Sequence, residues 1–467
     1  PSVCVLLDEL PVTPGGKIDR ARLPVPEAAP AAGLGTPPLG ATEELLAELW
    51  RELLGVPEVL REDDFFALGG HSLSATLLCA RLAKRLGIEL QLATLFEART
   101  LAGLARALED ARPRAATAEL PPRPRDATET PLSSNQRGLW FLQELAPENA
   151  TYNVPFALPL VGPLDAGALA QALAEIVRRH EALRTVFPLV DGEQVQRVTE
   201  QVEPLQTLDL RALAPAERAR QAQAALDAFA CRPFELERGP LFRTLLVREE
   251  DERATLAVCV HHIVFDGWSF DVVLAELAAL YDAAVRGAPA PLPAPAAQYA
   301  DHAWQQRHEL TPERRAAELA FWKQELEGAP LVLELPTDHA RPAAPSWRGA
   351  KVTRALPSEL VARLQALARA EGATPYLVTL TVAEILLARH AGVEDLVLGT
   401  PVAGRTHPES ERSIGLYLNV LALRADLRGR PSFRTLLART RARVLAAHAH
   451  QDFPFESLVE ALALARD

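Results

Sequence analysis

Two proline-rich interruptions decide how this chain can be divided. Residues 23–40 (LPVPEAAPAAGLGTPPLG) and 111–130 (ARPRAATAELPPRPRDATET) have no apolar periodicity and carry repeated prolines, so each reads as a linker. No single core can run through them. They set apart a block of about 70 residues, small but large enough to fold alone. A third proline-rich stretch, LPTDHARPAAPSW (335–347), reads as a crossover between two halves of the long remainder. The 467 residues therefore predict several domains rather than one.

Composition narrows the function classes. Hydrophobic content of 48% is ample for packed cores. With 49 Lys+Arg against 61 Asp+Glu the net charge is −12, the wrong sign for a protein that binds nucleic acid through phosphates. Cys4, Cys79, Cys231 and Cys259 are scattered without a CxxC pair, which signals neither a metal site nor a disulfide framework and suits a reducing compartment. No apolar run approaches the roughly 18 residues of a membrane span, and no secretory leader is visible. The expected location is cytoplasmic, with no membrane partner. Methionine is absent even at position 1, so the chain is expected to be a piece of a longer polypeptide.

The middle block reads as helical. TEELLAELWRELLG (42–55), SLSATLLCARLAKRLG (72–87) and TLAGLARALED (100–110) carry apolar residues at helical spacing, and the first two end on glycine. The remainder mixes helices and strands: SSNQRGLWFLQEL and DAGALAQALAEIVRRHEAL read as helices, and ATLAVCVHHIVF (254–265) as a strand buried on both faces. WSFDVVLAELAALYDAAVRG (268–287) reads as an amphipathic helix directly after it. A strand, a tight polar loop and a helix are where α/β proteins place chemistry.

Two motifs carry the chemistry. DDFFALGGHSL (63–73) puts Ser72 after two glycines and at or near the start of a helix, where free backbone N–H groups and the helix dipole favour an anion by about 0.3–1 kcal/mol. Gly69 and Gly70 let the chain turn and keep bulk away. HHIVFDG (261–267) places a His pair, an Asp four residues after the second His, and a Gly at a strand-to-helix junction. A metal site from His261, His262 and Asp266 is disfavoured, because strand alternation turns adjacent side chains to opposite faces. The same alternation lets one imidazole face a reaction tunnel while its neighbour packs inward.

The 63–73 segment resembles the attachment site of peptidyl carrier domains. The HHIVFDG motif resembles that of condensation domains, relatives of chloramphenicol acetyltransferase, and SSNQRGLWFL, RHEALRTVF, YADHAW, IGLYLN and HQDFPFE agree in order. The chain is thus similar to a segment of a nonribosomal peptide synthetase. The implied fold class is multidomain: a four-helix-bundle carrier (41–110), then an α/β condensation domain of two chloramphenicol-acetyltransferase-like subdomains (131–335 and 336–467). LPVTPGGKIDR resembles the C-terminal end of an adenylation domain, implying a remnant at 1–26 with Lys17 as its acyl-adenylate contact, and linkers at 27–40 and 111–130.

The resemblance also implies roles. Ser72 would carry 4′-phosphopantetheine, attached by a phosphopantetheinyl transferase. His262 would be the active-site histidine, grouped with His261, Asp266 and Gly267, and Asp266 would be held by an arginine, with Arg405 the first candidate and Arg184 the second. The partners would be an upstream adenylation domain and a downstream aminoacyl carrier domain. TYNVPFAL and RHEALRT look like the L-donor, L-acceptor subtype, and His71 before the serine points the same way. The chain stops at Asp467, short of the further strands that a complete condensation domain has, so the second subdomain is expected to be incomplete. The alternatives are an epimerisation domain, a non-catalytic docking scaffold, and an acyltransferase using free coenzyme A. The intact IGLYLN and HHIVFDG motifs and the attached carrier count against them in turn.

The implied reaction is aminolysis of a thioester. An α-amino group has a pKa of about 7.7–8.0 and so is partly neutral already, and orientation can offset about 7–11 kcal/mol of barrier. Sequence leaves open whether His262 is a general base or a positioning group.

Overall fold

The structure, a computed structural model, describes residues 35–88, 90–109, 122–124, 127–330, 332–340, 342 and 349–462. The 1–26 block with Lys17 lies outside the described residues, as do most of the 111–130 stretch and part of the 335–347 crossover.

Among the described residues up to Glu109 there are four helices: α1 (Gly40–Leu54), α2 (Ser72–Leu86), α3 (Leu92–Glu97) and α4 (Leu101–Glu109). One compact unit holds α1, α4 and the segment from Gly55 to Gly70; α2 and α3 group with the later part of the chain. In the first unit Leu46, Leu49 and Trp50 of α1, Phe65, and Leu101 and Leu104 of α4 are fully buried. The Trp50 and Phe65 rings meet edge to face at 5.0 Å. The two glycines ahead of α2 answer different needs. Gly69 adopts φ +101°, whereas a Cβ on Gly70 would lie 2.4 Å from the Phe65 ring.

Ser72 is the first residue of α2, and the cap is His71. The His71 Nδ1 accepts from the Ser74 N–H at 3.4 Å, and the Ser74 hydroxyl accepts from the His71 N–H at 2.8 Å. Propensity alone favours serine over histidine as a cap. Here extended backbone at His71 (φ −140°, ψ 175°) makes that residue the cap, so the helix starts at Ser72, one residue earlier than a serine cap would place it, and Ser74 completes a capping box.

The remainder begins with β1 (Glu129–Pro131) and α5 (Ser134–Leu145). There follow β2 (Asn153–Val161), α6 (Ala166–Arg179), β3 (Thr185–Val186), β4 (Leu189–Val190), β5 (Glu193–Val198) and β6 (Gln206–Asp209). Next come α7 (Pro215–Cys231), β7 (Phe242–Glu250), β8 (Arg253–His261), α8 (Gly267–Arg286), α9 (Tyr299–Glu309) and α10 (Pro312–Glu325). The second half supplies α11 (Ser358–Ala370), α12 (Pro375–Ala391), β9 (Asp395–Val402), β10 (Asn419–Asp426), α13 (Phe433–Ala449) and α14 (Phe455–Ala461). Strand β1 starts inside the stretch read as linker, because Thr130 pairs with Gln196 of β5 and is buried.

The main sheet runs β2-β8-β7-β6, antiparallel except for the parallel β6–β7 pair. Central β8 is buried along nearly its whole length, as its continuous apolar sequence requires. Helices α6 and α8 lie against each other, and their apolar residues Leu173, Ile176, Val273 and Leu277 join the core with Leu246, Leu256 and Val258 of the sheet. Polar groups fasten this pair of helices. Arg179 donates to both carboxylate oxygens of Glu276 at 2.9 and 3.0 Å, and His180 Nε2 lies 3.1 Å from the same group. Burial by itself would raise the Glu276 pKa, but the hydrogen bonds from His180 and Arg179 outweigh it and hold it at about 2.

In the second half β9 and β10 form a two-stranded antiparallel sheet. Asn419, the last residue of IGLYLN, donates to the carbonyls of Gln451 and Phe453 at 2.7 and 2.8 Å, which joins that motif to HQDFPFE.

Candidate active site

The main-sheet strand ends at His261, earlier than the apolar run suggests, and His262–Val264 form a 3-10 turn. The Phe265 N–H bonds back to the His262 carbonyl at 3.1 Å, and the His262 N–H donates to the Tyr152 carbonyl at 2.8 Å. This turn, rather than strand alternation, separates the two imidazoles.

His261 is 1% exposed. Its Nδ1 accepts from the Ile263 N–H at 3.1 Å, so in the neutral ring Nε2 carries the hydrogen, facing Gln143 Oε1 at 3.4 Å. Burial, with a smaller contribution from the neighbouring His262, pushes its pKa down to about 3. His261, grouped by sequence with the catalytic residues, is spent on the turn. His262 is half-buried and has the opposite arrangement. Its Nδ1 lies 2.6 Å from the Phe265 carbonyl, which can only accept, so Nδ1 carries the hydrogen and Nε2 presents a lone pair.

Asp266 caps α8 and is the hub of the site. Oδ1 accepts from the Ser269 N–H at 2.9 Å and the Ser269 hydroxyl at 2.7 Å; Oδ2 accepts from the Tyr417 N–H at 3.1 Å. Arg405 donates to both oxygens at 3.0 and 3.3 Å, and both partners are at most 2% exposed. The Arg405 guanidinium also donates to the Ser410 and Ser413 carbonyls and lies 4.1 Å from the centre of the Tyr417 ring. One carboxylate thereby ties the start of α8 to the loop from Arg405 to Tyr417.

Arg184 is elsewhere: it donates to the Thr199 carbonyl at 2.9 Å and reaches Glu200. It closes the 3-10 turn Glu181–Arg184 in RHEALRT, and its guanidinium also donates to the Arg178 carbonyl at 3.4 Å. Ser269, Tyr417 and Tyr152 are site residues that sequence reasoning did not single out. Only Ser269 left a signal, the D-x-x-S spacing of a helix cap.

Gly267 opens α8, is exposed, and has no heavy atom within 4 Å of a Cβ built on it. Packing within the protein therefore does not demand glycine at this position. Gly415 is the contrast: its Cβ would lie 2.1 Å from the Tyr299 ring, and Tyr299 donates to the Leu416 carbonyl at 2.8 Å.

Removing a partner from a buried ion pair strands the other charge, at a cost of about 3–5 kcal/mol. Asp266→Ala should therefore lower the unfolding free energy by about that amount, measured by urea denaturation. An unchanged midpoint in a soluble variant would show that the carboxylate does not hold Arg405.

With this geometry in hand, comparison with known proteins is unambiguous about family. Residues 126–467 match the condensation domain family and residues 44–108 match the phosphopantetheine attachment site family. The chain is 44% identical over 470 residues to one component of the linear gramicidin synthase of Brevibacillus parabrevis, covering 100% of this chain and 9% of that one. It is 42% identical over 425 residues to phosphinothricin tripeptide synthetase PhsB of Streptomyces viridochromogenes, covering 90% and 36%. Among solved structures, the X-domain from teicoplanin biosynthesis is 31% identical with a TM-score of 0.67, covering 75% of this chain and 76% of that one. The first condensation domain of the calcium-dependent antibiotic synthetase is 26% identical with a TM-score of 0.63, covering 73% and 80%. The protein belongs to the condensation domain family and carries a phosphopantetheine attachment domain ahead of it. It spans only a small part of the length of the synthetases it matches.

The attachment family implies covalent 4′-phosphopantetheine. The residues present fit it: the glycine turn leads into α2 at Ser72, and nothing lies within 4 Å of a Cβ built on Gly69. Among the described residues no group of His, Cys, Asp and Glu could hold a metal ion, and no helix is long and apolar enough to cross a membrane.

Proposed function

We propose that this chain forms peptide bonds in nonribosomal peptide synthesis, passing an acyl group held at Ser72 to the amine of an aminoacyl group on a downstream carrier domain. The observation that carries the reading is the fixed tautomer of His262, with Nδ1–H committed to the Phe265 carbonyl and the lone pair left on Nε2. When attached, phosphopantetheine supplies the thiol on which the acyl group is carried. The residues of this chain do the rest. Gly267 leaves room for the reacting groups. His262 Nε2 accepts a hydrogen bond, or the proton, from the attacking amine as the C–N bond forms and the C–S bond breaks. Asp266 and Arg405 hold the helix start and the 405–417 loop in register around it.

The same reading assigns the 1–26 block to the C-terminal end of an adenylation domain with Lys17 as its functional residue, and a phosphopantetheinyl transferase as the modifying enzyme.

A second reading, a domain that recruits a protein partner, is favoured by the likeness to an X-domain solved in complex with OxyB (30% identity, TM-score 0.65). One assay separates the two. The chain, as it stands and extended past Asp467, is loaded from an acyl-coenzyme A by a phosphopantetheinyl transferase and mixed with an aminoacyl-loaded carrier. Transfer of the acyl group to the second carrier, read by intact mass, is the expected result. A loaded donor that never transfers in either version overturns the catalytic reading.

A further inference from the structure

We propose that Gln136 is a positioning residue for His262, an inference that rests on the condensation reading above. Gln136 sits in the first turn of α5 and is 0% exposed. Its Oε1 accepts from the Ser133 N–H at 3.0 Å, while its own N–H donates to the Ser133 hydroxyl at 3.2 Å. A capping box of this kind is served equally by glutamate or glutamine. The other end of the side chain shows why an amide stands here. With Oε1 committed to a backbone donor, Nε2 must point the other way, and both its hydrogens are used, on Gln196 Oε1 at 3.0 Å and on the Ile263 carbonyl at 3.2 Å. Gln196 is oriented in turn by donating to the Pro131 carbonyl at 2.8 Å. Backbone groups thus fix the direction of the network at both ends.

Ile263 is the residue after His262, in the middle of the 3-10 turn. Its N–H is taken by His261 Nδ1 and its carbonyl by Gln136 Nε2. The turn from which the His262 ring projects is held on both polar atoms of its central residue. Helix α5 also reaches the other half of the site, since the Asn135 amide donates to the Leu418 carbonyl. Gln136 touches no reacting atom. It acts by denying the turn any freedom to rotate, and a displacement of about 1 Å at a catalytic group can cost 10²-fold in rate.

Two substitutions test this. Gln136→Met keeps the volume and removes the donors. It should lower the condensation kcat about 10- to 100-fold with little change in KM. Gln136→Glu keeps the cap and can donate only while protonated. A carboxyl in that buried position, facing the Ser133 N–H, the Gln196 amide and the Ile263 carbonyl, has a raised pKa. Its activity should approach wild type at low pH and fall along an added alkaline limb that the wild type lacks. The titratable groups flanking Ile263 are His261 and His262, both present in the wild-type profile, so the added limb belongs to the new carboxyl. A readout independent of turnover keeps the two hypotheses apart. With ¹⁵N-histidine labelling of the 467-residue chain, the His262 ring resonances should move in Gln136→Met. Unmoved resonances overturn the proposal even where the chain fails to condense. Wild-type kcat in Gln136→Met, or a wild-type pH profile in Gln136→Glu, overturns it as well. Should Gln136→Met fail to fold, the Gln136→Glu profile decides alone.

Discussion

His262→Ala should lower the rate of acyl transfer by about 10²–10⁴-fold, equivalent to roughly 3–5.5 kcal/mol of barrier, while leaving the fold intact. Stability should survive because the His262 ring contributes one hydrogen bond, to the Phe265 carbonyl, whereas the turn itself is held by backbone groups and by His261. The size of the loss does not distinguish a base from a positioning group, since both reach this range. The pH dependence does. A general base leaves an inflection in the wild-type profile that the alanine variant abolishes; a positioning group lowers the profile without changing its shape. The acceptor α-amine titrates nearby, so a less basic acceptor is needed to separate the two inflections. The geometry fits either role, because Nε2 is the free nitrogen in both. Transfer by His262→Ala at the wild-type rate would remove the catalytic assignment and favour the recruiting reading.

Elements whose information is local were legible in the sequence. The amphipathic pattern of α8, the continuous apolar run of β8 and the glycine ends of α1 and α2 each state a period or a stop signal within a few residues, and the structure follows them. The end of β8 was not legible, because VCVHHIVF stays apolar across it. What stops the strand is the Phe265 N–H turning back to the His262 carbonyl, a bond no side-chain pattern announces. The start of α2 was legible at Ser72, but which residue caps it was not. Serine is the better cap by propensity, yet the extended backbone after the glycine turn gives that place to His71.

The site divides along the same line. HHIVFDG is contiguous, so its residues were found together. Arg405 lies 139 residues from Asp266 and was reached only through the family resemblance; Arg184, the other candidate, was close to motif residues but has its guanidinium on Thr199 and Glu200. Tyr417 enters through its backbone N–H and Tyr152 through its carbonyl, groups that every residue has, so no residue type could signal them. Gln136 was in plain view within SSNQRGLWFL, but its second set of hydrogen bonds, across to Ile263, exists only once the sheet and α5 are assembled.

Ser72→Ala should abolish attachment of phosphopantetheine completely, and with it all acyl loading. The nearest competing hydroxyl is that of Ser74, two residues on. It is 6% exposed, accepts from the His71 N–H at 2.8 Å and donates to the His71 carbonyl at 2.9 Å, so both its roles are taken within the helix cap. Ser72 precedes that cap contact, at the first position of α2, where N–H groups without helical partners and the helix dipole favour a phosphodiester. The two serines therefore predict opposite phenotypes. Ser74→Ala should still accept the arm but lose about 0.5–2 kcal/mol of stability with its cap. Ser72→Ala should keep its stability and gain no mass. Intact-mass measurement after incubation with a phosphopantetheinyl transferase and coenzyme A reads both, alongside thermal melts. A mass increase retained in Ser72→Ala, or lost in a folded Ser74→Ala, would move the attachment site away from Ser72 and leave the carrier assignment without its residue.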